Sequence, residues 1–273
     1  MIAELVVLGG LAFAAVLYGL GMARLQRRTV AHRRAQALAF WAGWAVLALA
    51  LLSPLHHLGE ALLAAHMLQH ELLMIVAAPL LVLGRPWIVS VWGLPRAWRP
   101  VIGRGLRWFR PCWRFVSRLE IAWLLHAVAI LAWHAPGLYQ RTMSSDLVHA
   151  LQHTSFLLSG LLFWWSVLVA APRRRLHGPA IASLFSTMVY TGGLGALLTL
   201  ARLPWYPAYD EGAPAWGLTP LEDQQLAGLI MWAPGGITYL LATLWLVLDW
   251  LRVSEGRVTG ITVARAGPIQ DPS

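Results

Sequence analysis

The chain has 273 residues, of which 58% are hydrophobic and 12% charged, and its mean hydropathy is +0.61. A soluble domain carries about twice that charged fraction, which argues against a water-soluble globule and for one helical membrane domain. The net charge of +9 would suit nucleic acid, but the arginines stand in short loops between apolar runs, where they orient a membrane protein, so no nucleic-acid partner is expected.

The first apolar run, 4–23, is about as long as a full span and has no basic residues before it. Arg24, Arg27 and Arg28 follow it, so it reads as a retained helix, not a cleaved leader. Further spans are expected at 36–53, 61–83, 119–135, 147–171, 179–200 and 225–250. The fold class is therefore all-α: seven transmembrane helices in a single domain, 1–253, with a polar and mobile cytoplasmic tail, 254–273. The segment 84–118 mixes Trp, Arg and Pro. It reads as a cytoplasmic loop in the headgroup layer, with Trp rings at the interface and Arg against anionic membrane lipid. Its prolines argue against one continuous helix. Pro79 and Pro234 are expected kinks, and Gly192, Gly193 and Gly195 are expected close-packing positions.

Arginine placement predicts orientation. All 21 basic residues are arginine; nineteen fall in the first, third and fifth loops and the tail, and only Arg141 and Arg202 fall on the other side, beside Glu60, Asp146, Asp210, Glu211, Glu222 and Asp223. The arginine-rich face is then cytoplasmic, the N-terminus outside and the C-terminus inside.

The histidines form a repeated pattern. His66-Met67-Leu68-Gln69-His70 opens the third span and His149-Ala150-Leu151-Gln152-His153 opens the fifth. Residues four apart share a helical face, so each motif presents two imidazoles together near the outer end of its helix. Ionisable groups inside spans are rare and usually functional. His56, His57, His134, Asp223 and Met231 fall on the same side, while His126 lies mid-span and reads as a core hydrogen-bonding residue. His, Met and carboxylate donors without thiolate suit copper, Cu(I) in particular where thioether takes part, although imidazole also serves zinc and haem iron. The candidate metal ligands are His66, His70, His149 and His153, with Met67, His134, Asp223 and Met231 as secondary ones. Glu71, Asp146 and Asp223 are candidates to accept the second N–H of a ligating imidazole. The lone cysteine, Cys112, lies on the cytoplasmic side and forms no CxxC motif. No Walker or GxSxG motif is present.

From Ser53 to Asp249 the chain resembles the CtaG-type cytochrome c oxidase assembly factors, named for the caa-type oxidases of bacteria. The matching blocks are Ser53-Pro54, His66 to His70, Trp133-His134-Ala135-Pro136-Gly137-Leu138-Tyr139, His149 to His153, Asp223 to Gly228, and Met231-Trp232. The resemblance implies a seven-helix, non-enzymatic factor of the bacterial cytoplasmic membrane. Such a factor helps to mature a haem-copper oxidase, handling copper for its catalytic subunit and receiving it from a copper donor protein. Alternatives from the residues themselves are a haem-binding redox protein, a metal or proton transporter, or a scaffold whose histidines only hydrogen-bond.

Overall fold

The computed structural model describes residues 2–25, 30–174 and 176–265. Arg27, Arg28 and Arg175, and the last eight residues of the tail, lie outside the described residues, as do the side chains of Arg257 and Arg265. The architecture is 89% helical, with no strand among the described residues. The helices are α1 (Ile2–Leu25), α2 (Val30–Leu52), α3 (Pro54–Ala61), α4 (Leu63–Gly84), α5 (Pro86–Gly93), α6 (Arg99–Val116), α7 (Leu119–Trp133), α8 (Pro136–Ser144), α9 (Asp146–Arg174), α10 (His177–Thr199) and α11 (Pro220–Arg265). α1, α2, α4, α9, α10 and α11 are long and apolar enough to cross a membrane. They leave large apolar side chains bare, among them Leu5, Leu197 and Leu241. In a membrane protein lipid covers such faces, because helices keep every backbone polar group satisfied internally.

The expected fourth span is α7, whose 15 residues reach about 22 Å. It counts as a span only together with α6, from which it is bent by 75°. Its two ends nevertheless lie at opposite ends of the bundle. Arg118 shares a concavity with Arg174, and the His134 ring stands 6.3 Å from that of His70.

The connecting segment 84–118 carries two helices, α5 and α6, and, as its prolines led one to expect, not one continuous helix. Pro86 and Pro100 stand in first turns, where a missing N–H has no helical partner to lose. Pro111 lies inside α6, which has no buried residue, so the Arg107 carbonyl it frees is not sealed in a core. Two arginines satisfy the C-terminal carbonyls of α5. Arg24 Nη1 donates to Gly93 O at 2.7 Å and Leu94 O at 2.8 Å, and Arg99 Nη2 donates to Trp92 O at 2.7 Å. The tail is helical as far as Arg265, because α11 simply continues. Of the three sixth-span glycines only Gly195 is a close-packing position; a Cβ at Gly192 or Gly193 would meet nothing within 4 Å.

Gly195 and Gly228 form the crossing of α10 and α11. A Cβ on Gly195 would stand 2.8 Å from Trp232 Cβ, and one on Gly228 would collide with the Gly195 carbonyl and Thr199. Gly228→Ala is therefore expected to destabilise the protein by about 1–3 kcal/mol. Gly192→Ala, which only improves helix propensity, should gain up to about 1 kcal/mol. Thermal unfolding of both variants in detergent checks this; equal midpoints would remove the crossing argument.

α4 and α9 share a second local device. Each contains the run Val-Ala-Ala-Pro, at 76–79 and 169–172, and each widens into a π turn just before its proline, at Leu72–Ala77 and Ser166–Ala170. Ala78 N–H bonds Leu73 O, five residues back. In that register Pro79 would serve Met74 O but has no N–H. Trp164 Nε1–H of α9 donates to Met74 O at 2.8 Å instead. This bond joins the two motif-bearing helices.

Candidate metal centre

The site begins where α3 ends. Leu62 is extended and breaks α3 from α4, so the first N–H groups of α4 have no helical acceptor. Asp223, at the start of α11, supplies one: Leu63 N–H donates to Oδ2 at 2.7 Å and Ala64 N–H to Oδ1 at 3.0 Å. This fixes the height of α4 against α11. One turn later the helical period brings His66 and His70 to a common face, with ring centroids 4.3 Å apart. α9 does the same for His149 and His153, also 4.3 Å apart.

The two pairs meet. The His66 ring lies 5.1 Å from His149, nearly parallel to it, and 5.6 Å from His153, and His70 lies 5.2 Å from His153. α3 adds His56, 5.5 Å from His149 and 6.3 Å from His153. Two sets of three nitrogens stand within 4.8 Å of one another: His66, His70 and His153, all buried, and His56, His149 and His153, of which only His153 is buried.

Polar side chains around the rings set their tautomers. His134 Nδ1 donates to Ile130 O at 2.7 Å, which leaves a buried Nε2 lone pair with no partner. His66 Nδ1 lies 3.3 Å from Gly59 O, and its Nε2 lies 3.3 Å from the Gln152 amide. A neutral imidazole has one N–H. With Nε2–H donating to Gln152 Oε1, Nδ1 accepts from the Tyr209 hydroxyl; with Nδ1–H on Gly59 O, Nε2 needs the NH2 side of the Gln152 amide turned toward it. Tyr209 OH bridges Gly59 O and His66 Nδ1, each at 3.2 Å, and meets Tyr139 OH at 3.0 Å; Tyr206 OH donates to His134 O at 2.8 Å. Burial holds these three phenols above the ordinary tyrosine range, so they stay protonated and able to donate.

His70 is the exception. It is 1% exposed and neither ring nitrogen has a partner. Burying two unsatisfied polar atoms costs free energy that a bound ligand would return. The donor set therefore fits a metal ion. Neither three-nitrogen set includes a carboxylate, and burial cost rises with the square of the charge, which favours a monovalent soft cation over a divalent one.

The remaining sequence candidates are placed as follows. His134 reaches the rim of the buried set through His70. Met67 and Met231 are buried in the main apolar core. Asp223, a secondary ligand candidate, stands outside both three-nitrogen sets and caps α4, each of its oxygens accepting a backbone N–H. Glu71 faces α11: its buried, unpartnered Oε2 would lie 3.3 Å from a Cβ on Gly235. Asp146 lines the outer concavity together with His149. His126 hydrogen-bonds Ser159 at 3.1 Å, as a core histidine should. Reading the motif for histidine alone missed the role of its glutamines. Gln152 reaches His66, while Gln69 bonds Ala50 O at 2.6 Å and His56 Nδ1 at 3.1 Å. Their signal was their repetition between the paired histidines.

The sequence profile of the cytochrome c oxidase caa3 assembly factors matches residues 16–253, which include every histidine of the cluster. The chain belongs to that family. It is 27% identical over 258 residues to an uncharacterized protein of Mycobacterium bovis and equally so to one of Mycobacterium tuberculosis, and 25% identical over 246 residues to one of Mycobacterium leprae. These alignments cover 86–87% of the chain but 37% of each relative, so the chain spans little more than a third of their length. No solved structure matches it.

Proposed function

We propose that this assembly factor binds Cu(I) at the imidazole cluster and hands it to the catalytic subunit of a haem-copper oxidase, catalysing no reaction of its own. One observation carries the reading: His70, buried with both nitrogens unpartnered, stands at metal-ligand spacing with His66 and His153, and His153 forms a second such set with His56 and His149. Family membership supplies the oxidase. The arginine bias supports a cluster on the outer face of the bacterial cytoplasmic membrane, with the N-terminus outside and the C-terminus inside. The histidines open α4 and α9, and Arg85 and Arg174 lie at the far ends of the same helices. A soluble copper donor loads the cluster from the outer aqueous side.

The test is metal analysis and an optical spectrum of the purified protein after Cu(I) loading, beside a variant with His66, His70, His149 and His153 all changed to Ala. The expected result is copper in the parent and little in the variant. Equal retention refutes the assignment. A Soret band in the parent would favour haem, held by one histidine from α4 and one from α9, since two imidazoles on one helical face cannot take opposite axial positions. Metal or proton flux in proteoliposomes would favour transport.

A further inference from the structure

We infer that the cluster is two metal positions in series that share His153. An ion is taken up by His56, His149 and His153 and then passed inward to His66, His70 and His153. This rests on the copper-handling reading above. His153 belongs to both three-nitrogen sets. The outer set meets the surface: His56 lines one concavity of about 370 Å³, and His149 lines a second of about 700 Å³. Glu60, Asp146 and the Met143 thioether also line the second, with Arg141 as their opposing charge. Carboxylates at a mouth raise the local concentration of a cation. The inner set is buried throughout, so an ion held there is out of reach of water and chelators.

The step is a ligand exchange without redox change. Bonds from copper to His56 and His149 break, bonds to His66 and His70 form, and the bond to His153 persists; the ion remains Cu(I) and the imidazoles remain neutral. Proximity favours it, because the His66 ring stacks 5.1 Å from His149. Each position displaces existing contacts: the outer set those of His149 with His153 and of Gln69 with His56, each at 3.1 Å, and the inner set that of His66 with Gln152 at 3.3 Å. What draws the ion inward is His70, whose two buried nitrogens have no partner until it ligates.

The experiment uses the full chain in detergent, with Cu(I) delivered from its coloured bicinchoninate complex, so that colour loss gives the uptake rate and the end point gives the affinity. His56→Ala should slow uptake by at least about tenfold while leaving the end point nearly unchanged, and His70→Ala should leave fast uptake but weaken retention by at least about tenfold. His153→Ala should lose both. His70→Gln replaces His70→Ala if the latter does not fold. If the His56 and His70 variants change rate and end point alike, the two-position order is wrong although copper binding stands. If the unsubstituted chain takes no copper, the copper reading fails and this inference fails with it.

Discussion

If the proposed function holds, a host whose protein carries His66→Ala and His149→Ala should assemble an oxidase with at least about tenfold less activity, while the protein itself stays in the membrane at normal abundance. The two substitutions remove one imidazole from each three-nitrogen set and leave no set complete. Changes in residues that merely orient ligands typically cost 10–100-fold in metal affinity, so losing a ligand from both sets should cost at least as much. His66 also joins Gly59, Gln152 and Tyr209 through hydrogen bonds, and its loss carries some structural cost. Copper supplementation separates the two effects: mass action restores occupancy of a weakened site but does not repair a misfolded one. Oxidase activity in membranes, measured with and without added copper, checks the prediction. Unchanged activity in the double variant would leave the histidines as scaffold.

Asp223→Ala should be the most destabilising single substitution at the site, although its side chain need never touch metal. The carboxylate accepts two buried backbone N–H groups, of Leu63 and Ala64. Bonds to a charged acceptor contribute about 1.5–3 kcal/mol each, and a stranded buried donor costs about 1–3 kcal/mol. A loss of roughly 3–5 kcal/mol is expected, close to the whole margin of a marginally stable protein. Asp223→Asn keeps one oxygen acceptor and should lose about half as much. Because the cap sets where α4 begins, His66 and His70 should shift with it, and copper retention should fall in step with the thermal midpoint. A midpoint within 1–2 °C of the parent would show that the cap carries little of the load.

The spans were legible because a helix in lipid must be long, apolar and nearly free of charge, and those properties are local in sequence. The paired imidazoles were legible for the same kind of reason: i and i+4 share a face on any helix, and the motif occurs twice. What escaped depends on contacts with no period. His56 reaches the cluster only because α3 folds back beside α4. Tyr206 and Tyr209 arrive on the excursion between α10 and α11, pinned where Trp205 N–H donates to Gln224 at 2.6 Å. A Cβ on Gly212 of that excursion would run into the Ala61 carbonyl. Asp223 looked like a ligand because acidic residues beside histidines often are; only the break at Leu62 reveals two helix-end donors waiting for it. α6 was not foreseen because the prolines of 84–118 argue only against one continuous helix; Pro100 stands at a helix start and Pro111 on a helix with no buried residue.

The histidines that meet lie far apart along the chain, on helices that leave the ribosome at different times. At bacterial rates of roughly 5–20 residues per second, the stretch from His66 to His153 takes on the order of ten seconds to synthesise. During that interval the nascent protein holds half a cluster and no shared imidazole. On the proposed copper reading, metal acquisition is then a post-insertion event, and a ribosome stalled before α9 should leave a membrane-integrated chain that captures no ion from the medium.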